Sequence, residues 1–141
     1  MKGCYLCDLI AKKIDNLIME NEHAMVTFID ETREGQCLVF TKKHRKSMTV
    51  MNTDEWKSVG EIIHKVSRAL EKKYNAKKTY LLCISDMVEH IHFHIIPKHK
   101  DLVSMGHYCF ARVWEEEGKR ETSDAEKKAM AEELREMIES G

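Results

Sequence analysis

Residues 88–97 read Val-Glu-His-Ile-His-Phe-His-Ile-Ile-Pro, with His90, His92 and His94 at every second position and Ile91, Phe93 and Ile95 between them. Side chains alternate faces along a strand, so this spacing predicts three imidazoles on one face and three apolar groups on the other. The apolar face can enter a core, while the other presents rings that titrate near neutral pH. Pro97, with no backbone N–H to donate, ends the pairing. Three readings compete for such a row: solvated histidines on an exposed sheet face, a metal site in which imidazoles two apart converge on one ion, and catalysis. Strict alternation with large apolar residues argues against the first.

A second group of chemically capable residues opens the chain. Cys4-x-x-Cys7 supplies two of the four ligands that a closed zinc site wants. A reduced dithiol of no special role and a redox pair are the alternatives. The redox pair is disfavoured because no thioredoxin-like βαβ pattern accompanies it. The remaining cysteines, Cys37, Cys83 and Cys109, lie among apolar neighbours and read as small core groups.

These residues need a scaffold. Apolar positions 6, 9, 10 and 14 predict a short helix over residues 4–14. Residues 17–20 and 24–29 read as strands joined at Asn21-Glu22-His23, and 36–41 as a third strand. A basic loop, Lys42 to Lys46, follows. Asn52 or Thr53 caps a long helix whose first turn carries Asp54 and Glu55, and Trp56, Val59, Ile63, Val66 and Leu70 form its apolar stripe. Residues 79–84 read as a fourth strand, paired antiparallel with the histidine strand across Ser85-Asp86-Met87. Ser123 to Glu126 has the form of a capping box before a C-terminal helix with a stripe of Met130, Leu134, Met137 and Ile138. The sum is an α+β fold: a five-stranded, mainly antiparallel sheet with one long helix packed on it and a C-terminal helix beyond.

Composition narrows the class. The 141 residues are 43% apolar and 33% charged with a net charge of −1, which reads as one soluble globular domain, 1–141, with its core over 4–100 and an extension over 101–141. That charge supplies no broad basic field for nucleic acid, although a locally positive phosphate pocket is compatible with it. Neither a signal peptide nor the roughly 20 apolar residues of a membrane span is legible. Five cysteines, an odd number, suit a reducing, cytoplasmic setting.

The segment His90-Ile91-His92-Phe93-His94-Ile95-Ile96 resembles the signature of the histidine triad family, His-φ-His-φ-His-φ-φ with φ apolar, at every position. The resemblance spans roughly residues 4–100. It implies the five-stranded fold above and a homodimer formed through the long helix and an edge strand. It also implies an enzyme acting at the α-phosphate of a nucleotide, such as a nucleoside phosphoramidate or dinucleoside polyphosphate. In that chemistry the middle histidine, here His92, attacks phosphorus to give a covalent nucleotidyl intermediate that water breaks. His94 and His90 would contact phosphate oxygens or orient the nucleophile. Transfer of the nucleotidyl group to a sugar phosphate, or nucleotide binding without turnover, are the other activities to weigh.

The resemblance reaches further upstream. Phe28-Ile29-Asp30 matches the end of the family's second strand, which makes Asp30 a candidate for the ribose hydroxyls and Phe28 for the border of the base. Leu38 to His44 resembles an apolar strand followed by Pro-Lys-x-His, with Thr41 in place of the proline. In some members, and in galactose-1-phosphate uridylyltransferases, that histidine joins the first triad histidine and the paired cysteines around zinc. Carried over, the ligands are Cys4, Cys7, His44 and His90, and the metal is structural. Such a role would draw His90 away from direct phosphate contact. The chain departs from the family at Ser85-Asp86-Met87, where many members carry Gly-Gln-Ser/Thr, so the hydroxyl partner becomes Met87 and Asp86 adds a negative charge. His99, His107 and Trp114 are close enough in sequence to line the pocket, but read more simply as ordinary surface or core residues.

Overall fold

The computed structural model describes residues 2–29, 34–99 and 122–141. Its elements are helix α1 (Tyr5–Ala11), strands β1 (Leu17–Glu20), β2 (Ala24–Phe28) and β3 (Cys37–Thr41), a 3₁₀ turn (Met48–Val50), helix α2 (Thr53–Tyr74), strands β4 (Thr79–Leu82) and β5 (His92–Pro97), and helix α3 (Asp124–Ser140). The strands form one sheet in the order β1-β2-β3-β5-β4. Every neighbouring pair is antiparallel. Among the described residues, no helix is long and apolar enough to cross a membrane.

Both faces of the sheet are covered, which explains why all five residues of β2 and of β3 are buried. On one face, Val26, Val39, Phe93 and Ile95 pack with Val59, Ile62, Val66 and Leu70 of α2, and with Ala131 and Leu134 of α3. On the other, Met25, Leu38 and Phe40 meet Cys4 and Leu6 of the N-terminal segment. The α2 stripe is rotated from the one expected. Ile62 is fully buried and Ile63 only partly, while Trp56 remains 38% exposed. Trp56 flanks the core instead, edge-on to Phe93 with ring centroids 5.8 Å apart.

Helix α2 is fixed at both ends. A capping box joins Asn52 and Glu55 at its start, and Asn75 closes it in the left-handed conformation with φ of 47°. Helix α3 has the expected capping box at Ser123 and Glu126. Its Arg135 donates to the carbonyls of Leu17 and Ile18 in edge strand β1. That edge is therefore covered, whereas β4, the opposite edge, presents an exposed Leu81, followed by an exposed Ile84.

Candidate functional site

The histidine row divides between two settings. Strand β5 begins only at His92, so His90 precedes it. His90 is fully buried, while Ile91, Phe93 and Ile95 enter the α2-side core as the alternation predicts. The basic loop positions this junction, since the Ile91 N–H donates to the Arg45 carbonyl over 2.7 Å. Arg45 in turn forks onto the buried Glu55 carboxylate through Nε and Nη2, at 3.0 and 2.8 Å to Oε1. Burial pushes the Glu55 carboxyl up, but the Arg45 and Asn52 hydrogen bonds outweigh it and hold it below the ordinary range. The capped start of α2 thus anchors the loop that carries His44.

His90 Nε2 lies 2.7 Å from the Thr41 carbonyl. A carbonyl only accepts, so Nε2 carries the proton and Nδ1 keeps its lone pair. That lone pair faces Cys4 Sγ and Cys7 Sγ, each at 3.5 Å. His44 Nδ1 lies 3.3 Å from Cys7 Sγ. The ligand atoms of Cys4, Cys7, His44 and His90 all fall within 4.8 Å of one another. Zinc–sulfur bonds of about 2.3 Å and zinc–nitrogen bonds of about 2.0 Å place tetrahedral S and N ligands roughly 3.5 Å apart. The observed sulfur–nitrogen spacings match that edge, and the donor set is the soft two-sulfur, two-nitrogen type that suits zinc. The Thr41 carbonyl behind His90 is the outer partner that fixes a ligating imidazole. Burial is the main cause that pushes the His90 imidazole down, keeping the ring neutral as a ligand must be. His44 Nε2 is buried and has no hydrogen-bond partner among the described residues.

His92 is held from the other side. Its Nδ1 lies 2.6 Å from the His90 carbonyl, which fixes the proton on Nδ1 and leaves the Nε2 lone pair available. The Ser85 hydroxyl accepts the His92 backbone N–H at 3.3 Å and lies 3.4 Å from Nδ1. Ser85 holds a φ of 61°, in the left-handed region that a serine seldom adopts. His94 stacks edge-on to His92 at 5.4 Å, and the Gln36 side-chain amide lies 3.4 Å from its Nδ1. Burial, then the neighbouring His92, pushes the His94 imidazole down to about 4.

Gln36 has no role in the sequence reading, and Ser85 enters it only within the turn that departs from the family pattern. Gln36 is legible in retrospect, because it alternates with Leu38 and Phe40 and therefore shares the histidine face. No periodicity marks the contact of Ser85 with His92, since its backbone lies outside the described strands.

A cavity of about 430 Å³ is lined by Tyr5, Leu9, Thr27, Leu38, Ile29 and Lys127, among others, with no triad histidine in its lining. Thr27 pairs with Leu38, and Leu38 with His94, so two of its lining residues share a cross-strand row with His94. Phe28 borders it, although its side chain belongs to the α2-side core. Asp30 lies outside the described residues, as do Cys109, His107 and Trp114. His99 stands apart from the row, edge-on to Tyr74 and bonded to the Glu34 carbonyl at 2.6 Å.

The HIT domain family model matches residues 11–101. The chain belongs to the HIT domain family. This HIT domain is 26% identical over 107 residues to adenosine 5'-monophosphoramidase hnt1 of Schizosaccharomyces pombe, covering 74% of this chain and 80% of that protein. A zinc-bound histidine triad family protein from Mycobacterium smegmatis has the same fold, with a TM-score of 0.74, 17% identity, and coverage of 98% of this chain and 94% of that one. Diadenosine triphosphate hydrolase from Plasmodium falciparum, solved with cyclomarin A, superposes with a TM-score of 0.72 at 12% identity, covering 92% and 80% of the two chains.

Proposed function

We propose that this HIT domain is a cytoplasmic nucleotide hydrolase that cleaves a nucleoside phosphoramidate or dinucleoside polyphosphate at the α-phosphorus through His92. The supporting observation is the 2.6 Å contact between His92 Nδ1 and the His90 carbonyl. It leaves Nε2 with its lone pair, which forms the bond to phosphorus as the bond to the leaving group breaks. The leaving group departs with the electron pair and takes a proton from solvent. The imidazole becomes cationic as it attacks, and the His90 carbonyl stabilises that charge. Water then attacks phosphorus, releases the nucleoside monophosphate and returns His92 to the neutral ring. In this reading His94, neutral at physiological pH, and the Gln36 amide beside it bind the phosphate oxygens. The kinship with the S. pombe adenosine 5'-monophosphoramidase supports the substrate class.

Within the same reading, Cys4, Cys7, His44 and His90 hold a structural zinc. The metal would tie α1 and the basic loop to the start of β5, and so fix the carbonyl that orients His92. The exposed edge strand β4 and the exposed flank of α2 at Trp56 form the homodimer contact. Release of nucleoside monophosphate from adenosine and guanosine phosphoramidates, by the native protein and by His92→Ala, tests the function. Native release that His92→Ala abolishes is the expected result. Unchanged release by the variant would remove His92 from the mechanism, and no release by the native protein would leave a nucleotide binder. Acceleration by added sugar phosphate would favour a nucleotidyl transferase instead.

A further inference from the structure

The 430 Å³ cavity at Thr27 and Leu38, in the cross-strand row that His94 shares, has a feature that a purely apolar base slot lacks. Lys127, from the first turns of α3, lines it with its side chain only 9% exposed. Asp124, one helical turn earlier, stands at the same wall, fully exposed, with Oδ1 3.4 Å from Lys127 Nζ. The volume falls within the range for small-molecule sites, roughly 300–1,000 Å³.

Its place in the sheet relates it to the nucleophile. The nucleophile His92 pairs with Phe40, whereas the cavity abuts the next row on that face, Thr27–Leu38–His94. Two residues along a strand advance about 7 Å. With phosphorus at His92 Nε2, a nucleoside extending along this face past His94 reaches the cavity at Leu38 and Thr27. Leu9, Leu38 and Ile29 supply apolar contacts for a flat ring there.

Resting on the nucleotidyl reading above, we propose that Asp124 and Lys127 read the base and select guanine over adenine. Lysine only donates and a carboxylate only accepts. Guanine presents, side by side, the O6 acceptor and the N1–H and N2–H donors. Lys127 Nζ donates to O6, and the Asp124 carboxylate accepts from N1–H and N2–H together. Adenine offers this pair a single acceptor and a single N6 donor, so one carboxylate bond is lost. A missing edge bond of this kind is worth about tenfold or more in affinity. The reader sits on α3, so the C-terminal helix contributes specificity as well as packing.

Calorimetric titration of GMP and AMP into the native protein, Asp124→Asn and Lys127→Met tests this. The native protein should bind GMP about tenfold tighter than AMP, and Asp124→Asn should bring the two close together. Lys127→Met should weaken GMP more than AMP. Asp124 is fully exposed, so its variant tests base reading even if Lys127→Met fails to fold. Equal native affinities, or a preference that Asp124→Asn leaves intact, would overturn the base-reading role while the His92 chemistry stands. No binding of either nucleotide would overturn both.

Discussion

The His90 carbonyl and His92 Nδ1 lie 2.6 Å apart, so the first histidine of the row fixes the tautomer of the second through its backbone. The same residue points its ring at Cys4 and Cys7. His90 thereby joins the proposed metal cluster to the proposed nucleophile.

This contact makes a spectroscopic prediction. At neutral pH, ring nitrogen shifts should report His92 protonated on Nδ1 and His90 protonated on Nε2. The opposite tautomer at His92 would withdraw the lone pair from Nε2 and leave the proposed attack without a nucleophile.

Metal content is the second test. Protein purified without added zinc should carry about one zinc per chain, falling sharply in a Cys4→Ser, Cys7→Ser double variant. Stripping the metal should lower thermal stability and slow phosphoramidate cleavage, because the segment holding the His90 carbonyl loses its anchor. A native protein free of zinc after such purification would sink the assignment.

Acid should weaken the fold through His94. Its imidazole is pushed down to about 4 by burial and then by His92. An unfolded histidine titrates near 6.5. Between these values the unfolded chain binds a proton that the native state does not, so stability falls as pH drops from about 6.5 to about 4 and is unaffected above that window. Urea melts at pH 7, 6 and 5 should show a shallower decline for His94→Gln than for the native protein. The metal cluster responds to acid in both proteins, so the difference isolates His94; parallel declines would refute it.

The Arg45–Glu55 pair offers a stability test. Glu55 is 1% exposed, and Arg45→Met would strand its carboxylate. The expected loss is about 3 kcal/mol. Arg45→Met combined with Glu55→Leu should recover much of it, since the unpaired charge is then gone. Denaturant titration measures both, and a single-variant loss below about 1 kcal/mol would show the pair to be peripheral.

The open edge can be probed directly. Among the described residues β4 is the outer strand of the sheet, and Leu81 in it and Ile84 just beyond it are 49% and 58% exposed. Sedimentation should give a dimer for the native protein and a monomer for Leu81→Lys with Ile84→Lys. A native monomer would contradict the proposed contact.

Much of this fold was legible in the chain itself. Period-two alternation around Phe93 and period-3.6 spacing along α2 follow from backbone geometry, so they placed the strands, the long helix and the apolar side of the histidine row. The CxxC pair declared itself for the same reason, since its spacing is local. The capping boxes at Asn52 and Ser123 likewise depend on residues three apart. What the tertiary structure decided is long-range. It brought Cys4 to His90 across 86 positions, turned the His90 carbonyl onto His92, and set Ser85 against that ring in a left-handed backbone. It also carried Lys127 to the wall of a cavity lined by α1 and β2. Side-chain type and periodicity determine which face a residue takes, but only the packed chain determines which atom faces it.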